Sequence, residues 1–368
     1  MRIRTVEVYR VAMPLVYPFR TAFGDTERIE SVLVRMAGDR AWGWSESAPW
    51  AAPTYSSEWA HGAFLLIRDW LAPLLVGRDI GSGVDLQRAL SGIKGNYFAK
   101  AALDLAFWDL VARDRGVPLW QLVGGSDATV EVGADIGVME NLDALLGEVA
   151  KAAQAGFSRL KLKYRPGWEV DMVAAVREAH PNLRVHIDCN SAYTLDDLAM
   201  FQKLDRYNLE MIEQPLRNDD LVDHARLQAA IRTPVCLDES IVSVDKMRKA
   251  IALEACRWVN IKLGRVGGLT NALAIHDLCR DAGIPCWVGG MLESAVGQSH
   301  SIALATLPNI RYPSDIFPTS RFYERDLGNP QIDLCGPSRI RASDRPGIGC
   351  EPDPVRLKKM LVEDAAVS

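Results

Sequence analysis

Hydrophobic and polar positions change rhythm once along this chain. From residue 129 onward, short apolar runs alternate with stretches of helical period. The apolar runs read as strands: Thr129–Gly137, Arg159–Lys163, Arg184–Asn190, Leu209–Pro215, Val235–Ser240, Trp258–Gly264, Pro285–Glu293 and Arg311–Ile316. Between the first two, Leu142, Leu145, Leu146, Val149 and Ala153 line one helical face, and Gly156 ends it. Thr194, with Asp197 three residues on, has the form of a capping box. Eight strands alternating with helices over about 190 residues predict an α/β fold with a closed parallel barrel. An open doubly wound sheet is the competing arrangement. It is weakened because no GxGxxG or Walker-type glycine loop stands at a strand end.

Residues 1–125 read as mixed α+β. Arg2–Pro14 and Glu30–Met36 alternate like strands, and Ala41–Ser47 is placed to pair with the second across Gly38-Asp39. Helical patterns follow at about 56–73, 82–93 and 97–114. In the last, Ala101, Leu105, Trp108 and Ala112 share a face and Gly116 supplies the stop. Val123-Gly124-Gly125-Ser126 marks a boundary between a first domain, 1–125, and a barrel domain, 126–319. Residues 320–368 are expected to pack back on the first domain.

The charged residues that close the strands are evenly spaced. Lys163, Asp188, Glu213, Asp238 and Lys262 are separated by 25, 25, 25 and 24 residues, and they end RLKLK, RVHIDCN, LEMIEQP, VCLDES and VNIKLG. One βα unit takes about that length, so each charge falls at the carboxyl end of its own strand, where parallel barrels build their active sites. A single strand-end charge is ordinarily just solvated. Five in register would bring Asp188, Glu213 and Asp238 side by side, and such carboxylates repel unless a cation or protons neutralise them. Three hard oxygen donors without His or Cys suit Mg²⁺, with Mn²⁺ or another divalent cation able to substitute. Lys161 and Lys163 share parity and face inward from one strand. Lys262 follows the last acid. A lysine base must be neutral when it acts, and a nearby cation, other lysines and partial burial all lower its pKa. A dication between two opposed amines suits removal of a proton next to a carboxylate.

Composition narrows the setting. The chain is 48% hydrophobic and 24% charged, which excludes a disordered protein. Its net charge is −5 with Lys and Arg scattered, so a nucleic-acid surface is not expected. No apolar run reaches about 18 residues, and no membrane span is expected. The start alternates like a strand and lacks the apolar core of a signal peptide. Seven cysteines without a CxxC pair argue against a zinc cluster or disulfide framework and for a reducing cytoplasm.

These residues resemble a known family. PLVYPFRTAFG, WGWSESAPW, ALDLAFWDLVARDRGVPLWQLVGG, KLKYRPGW, DCNSAYTL, IEQPL, CLDES, NIKLGRVGG, IPCWVGGMLES and LPNIRYPSDI follow in the order and spacing of the muconate-lactonizing-enzyme subgroup of the enolase superfamily. Within it, the chain looks most like the o-succinylbenzoate synthase / N-succinylamino acid racemase branch. Abstraction of a proton next to a carboxylate, through an enediolate, is the chemistry for which that superfamily is the stock example. The resemblance implies a TIM-type (β/α)7β barrel with an α+β N-terminal capping domain. It implies that Asp188, Glu213 and Asp238 hold Mg²⁺, and that Lys163 and Lys262 are acid/bases on opposite faces of the substrate. Lys161 would help hold the substrate carboxylate and depress the pKa of Lys163. Asn190 and Glu239 would support the ligands from behind. Arg265 matches an arginine that accompanies racemase ability in the branch. Glu293 and Ser294 would place backbone near the substrate carboxylate. Phe19, Phe23, Trp50 and Tyr55 lie in the two capping loops, as a roof over a substrate side chain or as interdomain core. A homo-oligomer, dimer or octamer, is expected, acting on a small-molecule carboxylate.

Two departures stand out. The first barrel strand reads EVGADIG, with Asp135 where the family commonly has Ser. An acid facing the pocket disfavours a second substrate carboxylate unless it is protonated or paired. Leu263 stands where Pro is common. Dipeptide epimerase and muconate-type cycloisomerase are the alternatives within the superfamily, and Asp315 is the acid available to an epimerase for recognising an α-ammonium. A non-catalytic barrel is disfavoured because all five key positions are filled. Opposed lysines fit proton transfer better than metal-dependent aldol or hydrolytic chemistry.

Overall fold

The computed structural model describes residues 1–21, 24–164 and 166–368. Seven parallel strands run side by side in chain order: Ala134–Ile136, Arg159–Lys163, Arg184–Asp188, Ile212–Glu213, Val235–Leu237, Trp258–Ile261 and Cys286–Val288. The register sets Lys163 opposite Asp188 and Asp188 opposite Glu213. These are successive members of the evenly spaced series, and neighbouring strand ends therefore lie level.

The barrel closes through the segment predicted as its eighth strand, but without a regular ladder. Arg311 N and Asp315 N donate to Cys286 O and Val288 O at 2.9 and 2.8 Å. On the other side, Ser314 N donates to Glu131 O and Gly133 N to Ser314 O, both at 2.9 Å. Pro313 lies in this stretch and has no N–H to give. Its carbonyl accepts instead from Arg159 Nε at 3.1 Å. The run read as one strand, 129–137, divides in two. Thr129–Glu131 pairs antiparallel with Arg339–Arg341, and Ala134–Ile136 joins the barrel. Gly133 lies between them because a Cβ there would come within 2.2 Å of the Arg159 guanidinium carbon.

The N-terminal part is an antiparallel sheet in the order Leu361–Val367, Thr5–Thr21, Gly24–Ala37, Trp42–Ser47. The chain's last strand thus pairs with its first. The helix Tyr97–Arg115 lies between this sheet and the barrel and ends on Gly116 in the left-handed region, at φ 69°. It is buried almost all round. Ala101, Leu105 and Ala112 join the barrel's core, as their shared face predicted. Phe98 does too, and Ala99, Ala102, Leu103, Ala106, Phe107 and Leu110 join the core under the sheet. The helical pattern at 56–73 resolves into Ala60–Leu66, a wider turn Ile67–Leu71 and a tight turn Ala72–Leu74 around Pro73. Both halves of the Thr194/Asp197 capping box form. Among the described residues no helix is long and apolar enough to cross a membrane.

A buried acid ties the sheet to the barrel. Glu46, on Trp42–Ser47, accepts from Ser294 N, Gly297 N and Ser31 Oγ at 3.0, 3.2 and 2.8 Å, and from Ser294 Oγ. It thereby caps the barrel helix Ala295–Ala305 from outside. Burial pushes the Glu46 carboxyl up to about 7, with nearby Glu293 adding to it, against the pull of the serine hydrogen bonds.

Two predictions follow from this packing. A Cβ on Gly43 would come within 2.2 Å of Ala106 O and Leu110 N in the central helix. Gly43→Ala should therefore separate helix from sheet and lower the unfolding free energy by roughly 1–3 kcal/mol in urea titrations. The second concerns pH. With a folded-state pKa of about 7 against about 4.3 unfolded, protonated Glu46 favours the folded state. That contribution is complete below about pH 4.3 and is lost as the pH rises through about 7. Between pH 5 and 8 the wild type should lose on the order of 1–3 kcal/mol more stability than Glu46→Gln, and equal pH slopes would refute this.

Candidate active site

Each residue of the spaced series lies at the same end of the barrel, and the side chains form one buried charge network. Lys163 Nζ donates to Asp188 Oδ2 at 2.7 Å and to Asn190 Oδ1 at 3.3 Å. Across the mouth, Lys262 Nζ lies 2.9 Å from Asp238 Oδ2 and donates to Tyr55 Oη at 3.2 Å. Arg265 Nη1 pairs with Asp238 Oδ1 and donates to Tyr55 Oη at 3.2 Å. Arg265 is not a surface residue: it is buried, with Nε on Ile241 O at 3.0 Å.

Lys161 is the hub of the network. Its Nζ is 2.5 Å from Asp315 Oδ2, 3.5 Å from Asp188 Oδ2, and 3.6 Å from both Asp135 Oδ2 and Glu213 Oε2. Burial alone would lower its pKa, but Asp135, Asp315, Glu213 and Asp188 outweigh burial and hold it well above its ordinary value. The same competition runs in reverse at Glu213. Burial raises it, and Lys161 and His186 pull it well below the usual carboxylate range. At Lys262, burial is outweighed by Tyr55 and by the nearby Glu239 and Glu213, and its pKa rises. The lowering expected of a lysine base is therefore absent at Lys262, because Tyr55, with Glu239 and Glu213, outweighs burial and the neighbouring Lys161.

Asp188, Glu213 and Asp238 end three consecutive strands, yet Asp188 is engaged by the Lys163 ammonium and Asp238 by the Lys262 ammonium and the Arg265 guanidinium. As the rotamers stand, no three metal-ligating side chains among the described residues form a group able to hold an ion. The donor set itself suits a hard dication. Glu213 Oε2 is buried without a hydrogen bond, 3.4 Å from His186 Nε2. Asn260 Nδ2 orients the other oxygen at 2.6 Å. Glu239 takes Asn190 Nδ2 on Oε1 at 3.2 Å and leaves Oε2 unpaired. Burial, then Asp188, pushes its carboxyl up to about 7. An ion on these carboxylates would take up part of the negative charge that now raises the pKa of Lys161.

Phe19, Trp50 and Tyr55 roof the site, lining a cavity with Asp135, Lys161, Lys163, Lys262, Met291 and Phe317. Trp50 Nε1 donates to Met291 O at 3.2 Å. Phe23 lies outside the described residues. The cavity holds about 40 Å³, below the roughly 300–1,000 Å³ of small-molecule sites. Larger grooves, of about 580 and 720 Å³, lie away from the strand ends and carry none of these residues.

The structure places the remaining residues singled out by sequence and adds others. Glu293 and Ser294 are not in the cavity wall; Gly290, Met291 and Leu292 are. Glu293 turns back to accept from Met291 N at 2.7 Å, while Ser294 is consumed by Glu46. Asp315 is not free for an α-ammonium. Its Oδ1 binds Arg159 Nη1 at 2.7 Å and its Oδ2 binds Lys161. Arg159, wholly buried and lying over the Trp287 and Tyr312 rings at 5.4 and 5.3 Å, was missed, as were His186 and Asn260. Parity would have found all three. Arg159 shares the inward parity of Lys161 and Lys163, His186 that of Asp188, and Asn260 that of Lys262. For Glu46 the sequence held no such signal.

Comparison with known proteins agrees with this geometry. Residues 3–124 match the model of the mandelate racemase / muconate lactonizing enzyme N-terminal domain, and residues 144–356 the enolase C-terminal domain-like model. The chain is 44% identical over 354 residues to an o-succinylbenzoate synthase of Geobacillus kaustophilus, covering 96% of this chain and 94% of that one. It is 42% identical over 327 residues to an N-succinylamino acid racemase of Thermus thermophilus, covering 89% of each. A crystal structure of an enolase-superfamily member from Listeria innocua superposes with a TM-score of 0.96 at 36% identity, covering 100% of this chain and 99% of that one.

Proposed function

The chain belongs to the mandelate racemase / muconate lactonizing enzyme family of the enolase superfamily, and on that premise we propose that it racemises N-acyl amino acids by removing and returning the proton next to the carboxylate. Formation of o-succinylbenzoate by dehydration is open to the same groups. One observation carries the reading. Two lysine amines, from the second and sixth barrel strands, line one cavity, with three strand-end carboxylates set between them.

Members of the superfamily are in general Mg²⁺-dependent. In this chain Asp188, Glu213 and Asp238 would hold the ion, with Asn260 orienting Glu213 and with Asn190 and Glu239 behind. Bound there, Mg²⁺ supplies positive charge where the substrate carboxylate docks and where charge gathers as the α-carbon loses its proton. Lys161, charged and held by Asp315, adds a second cation for that carboxylate. Lys163 removes the α-proton from one face and Lys262 returns one to the other, the roles exchanging for the opposite enantiomer. In the dehydration, Lys163 removes the proton and then assists loss of hydroxide, while charged Lys262 steadies the enolate. Arg265 and Tyr55 position Lys262 through Asp238 and directly. The dipeptide-epimerase alternative is weakened because both Asp315 oxygens are already engaged.

Lys163→Ala should abolish racemisation, yet one enantiomer should still exchange its α-proton in D₂O through Lys262. Lys262→Ala should show the mirror pattern, each loss being roughly 10²–10⁴-fold. Interconversion of enantiomers at near the wild-type rate by either variant would sink the two-base assignment. Exhaustive chelation should abolish exchange, and added Mg²⁺ should restore it. Full activity without a divalent cation would refute the roles of Asp188, Glu213 and Asp238.

A further inference from the structure

Asp135 stands in the cavity wall at the end of the first barrel strand, buried to 8% exposure. Its Oδ2 lies 3.6 Å from Lys161 Nζ and 3.9 Å from Lys163 Nζ, both too long for hydrogen bonds. Its Oδ1 makes no hydrogen bond at all. Asp315, the other acid of this wall, has both oxygens filled, by Arg159 and Lys161. Among the described residues lining the cavity, Asp135 is therefore the carboxylate with an unused acceptor. Its backbone is pinned, since its carbonyl accepts from Arg321 Nη2, and the Arg321 guanidinium lies 5.2 and 5.6 Å from the Phe317 and Phe322 rings. Phe19 and Phe317 make the neighbouring wall apolar.

A buried acceptor without a donor is costly, and a donor brought by the substrate would satisfy it. A second substrate carboxylate placed there would leave Oδ1 unpaired and add like-charge repulsion in a water-poor site. We propose that Asp135 determines specificity, selecting N-acyl amino acids whose acyl arm is uncharged and carries an N–H donor, and excluding arms that end in a carboxylate, the succinyl arm of o-succinylbenzoate included. Of the two reactions open to the catalytic groups, racemisation is therefore the one this wall admits. This rests on the reading of the site as one that removes the α-proton of N-acyl amino acids.

The test uses the Mg²⁺-loaded enzyme and two compounds, N-succinyl- and N-succinamoyl-phenylalanine, which differ only in a terminal carboxylate against a terminal amide. Exchange of the α-proton in D₂O is followed by NMR, and dissociation constants by calorimetry. The wild type should exchange the succinamoyl compound with a kcat/KM at least tenfold higher, and bind it correspondingly more tightly. Asp135→Asn keeps the shape, drops the charge and can donate to a carboxylate, so it should shrink that ratio at least tenfold. Equal or faster exchange of the succinyl compound by the wild type would overturn the inference and leave the proton-abstraction reading standing. So would an unchanged ratio in the variant, or faster exchange of an alanyl dipeptide, whose arm is an ammonium. Exchange of none of these compounds would overturn both. The wild-type comparison decides the matter even if the variant does not fold.

Discussion

The barrel mouth depends on one constraint: charges removed from water must balance one another side chain by side chain. Lys161 is buried among Asp135, Asp188, Glu213 and Asp315, and no single partner neutralises it. Each acid is in turn shared, Asp188 with Lys163 and Asp315 with Arg159. Such pairs add little net stability, because desolvation offsets most of the attraction. What they impose is geometry, since removing one member strands its partner in a low-dielectric interior. That interlock explains how the lysines proposed for proton transfer can be held within a crowd of carboxylates at fixed positions.

The constraint spreads outward into the fold. Arg159 fills the barrel interior beneath Lys161, and Gly133 is a glycine because nothing larger fits beside that guanidinium. Pro313 interrupts the eighth strand, and its freed carbonyl serves the same arginine. A segment that looks like imperfect barrel closure is thus a supporting contact for the site. Asp315, two residues on, carries the support to Lys161.

The N-terminal part of the chain completes the site rather than merely covering it. Tyr55 reaches Lys262, Arg265 and Asp238, and Trp50 holds the carbonyl of Met291. Glu46 fixes the turn after the seventh strand from the opposite side. Lys262 and the turn after the seventh strand are therefore oriented by residues from a part of the chain that contributes no barrel strand. Specificity and catalysis meet there, as roof residues touch the groups proposed to move protons.

Much of this was legible without coordinates, for a local reason. A βα unit has nearly constant length and a strand has period two, so Lys163, Asp188, Glu213, Asp238 and Lys262 could be assigned to one end of the barrel by spacing, and Lys161 to its interior by parity. The same rule, applied one step further, reaches Arg159, His186 and Asn260. The partner each charge takes was not legible. Asp315 meets Arg159 across 156 positions of sequence, and Glu46 meets Ser294 across 248. Serine, glutamate and aspartate carry no mark saying which of them will be engaged in such contacts, and the sequence did not show that Glu46 holds Ser294 or that Arg159 and Lys161 hold Asp315. Coulomb and hydrogen-bond energies depend on distance in space, and periodicity along the chain reports only direction from the backbone. The sequence by itself therefore determined which chemistry stands at the barrel mouth. Tertiary packing alone decided which acids are neutralised, and that among the described residues lining the cavity Asp135 is the acid that keeps an oxygen unused.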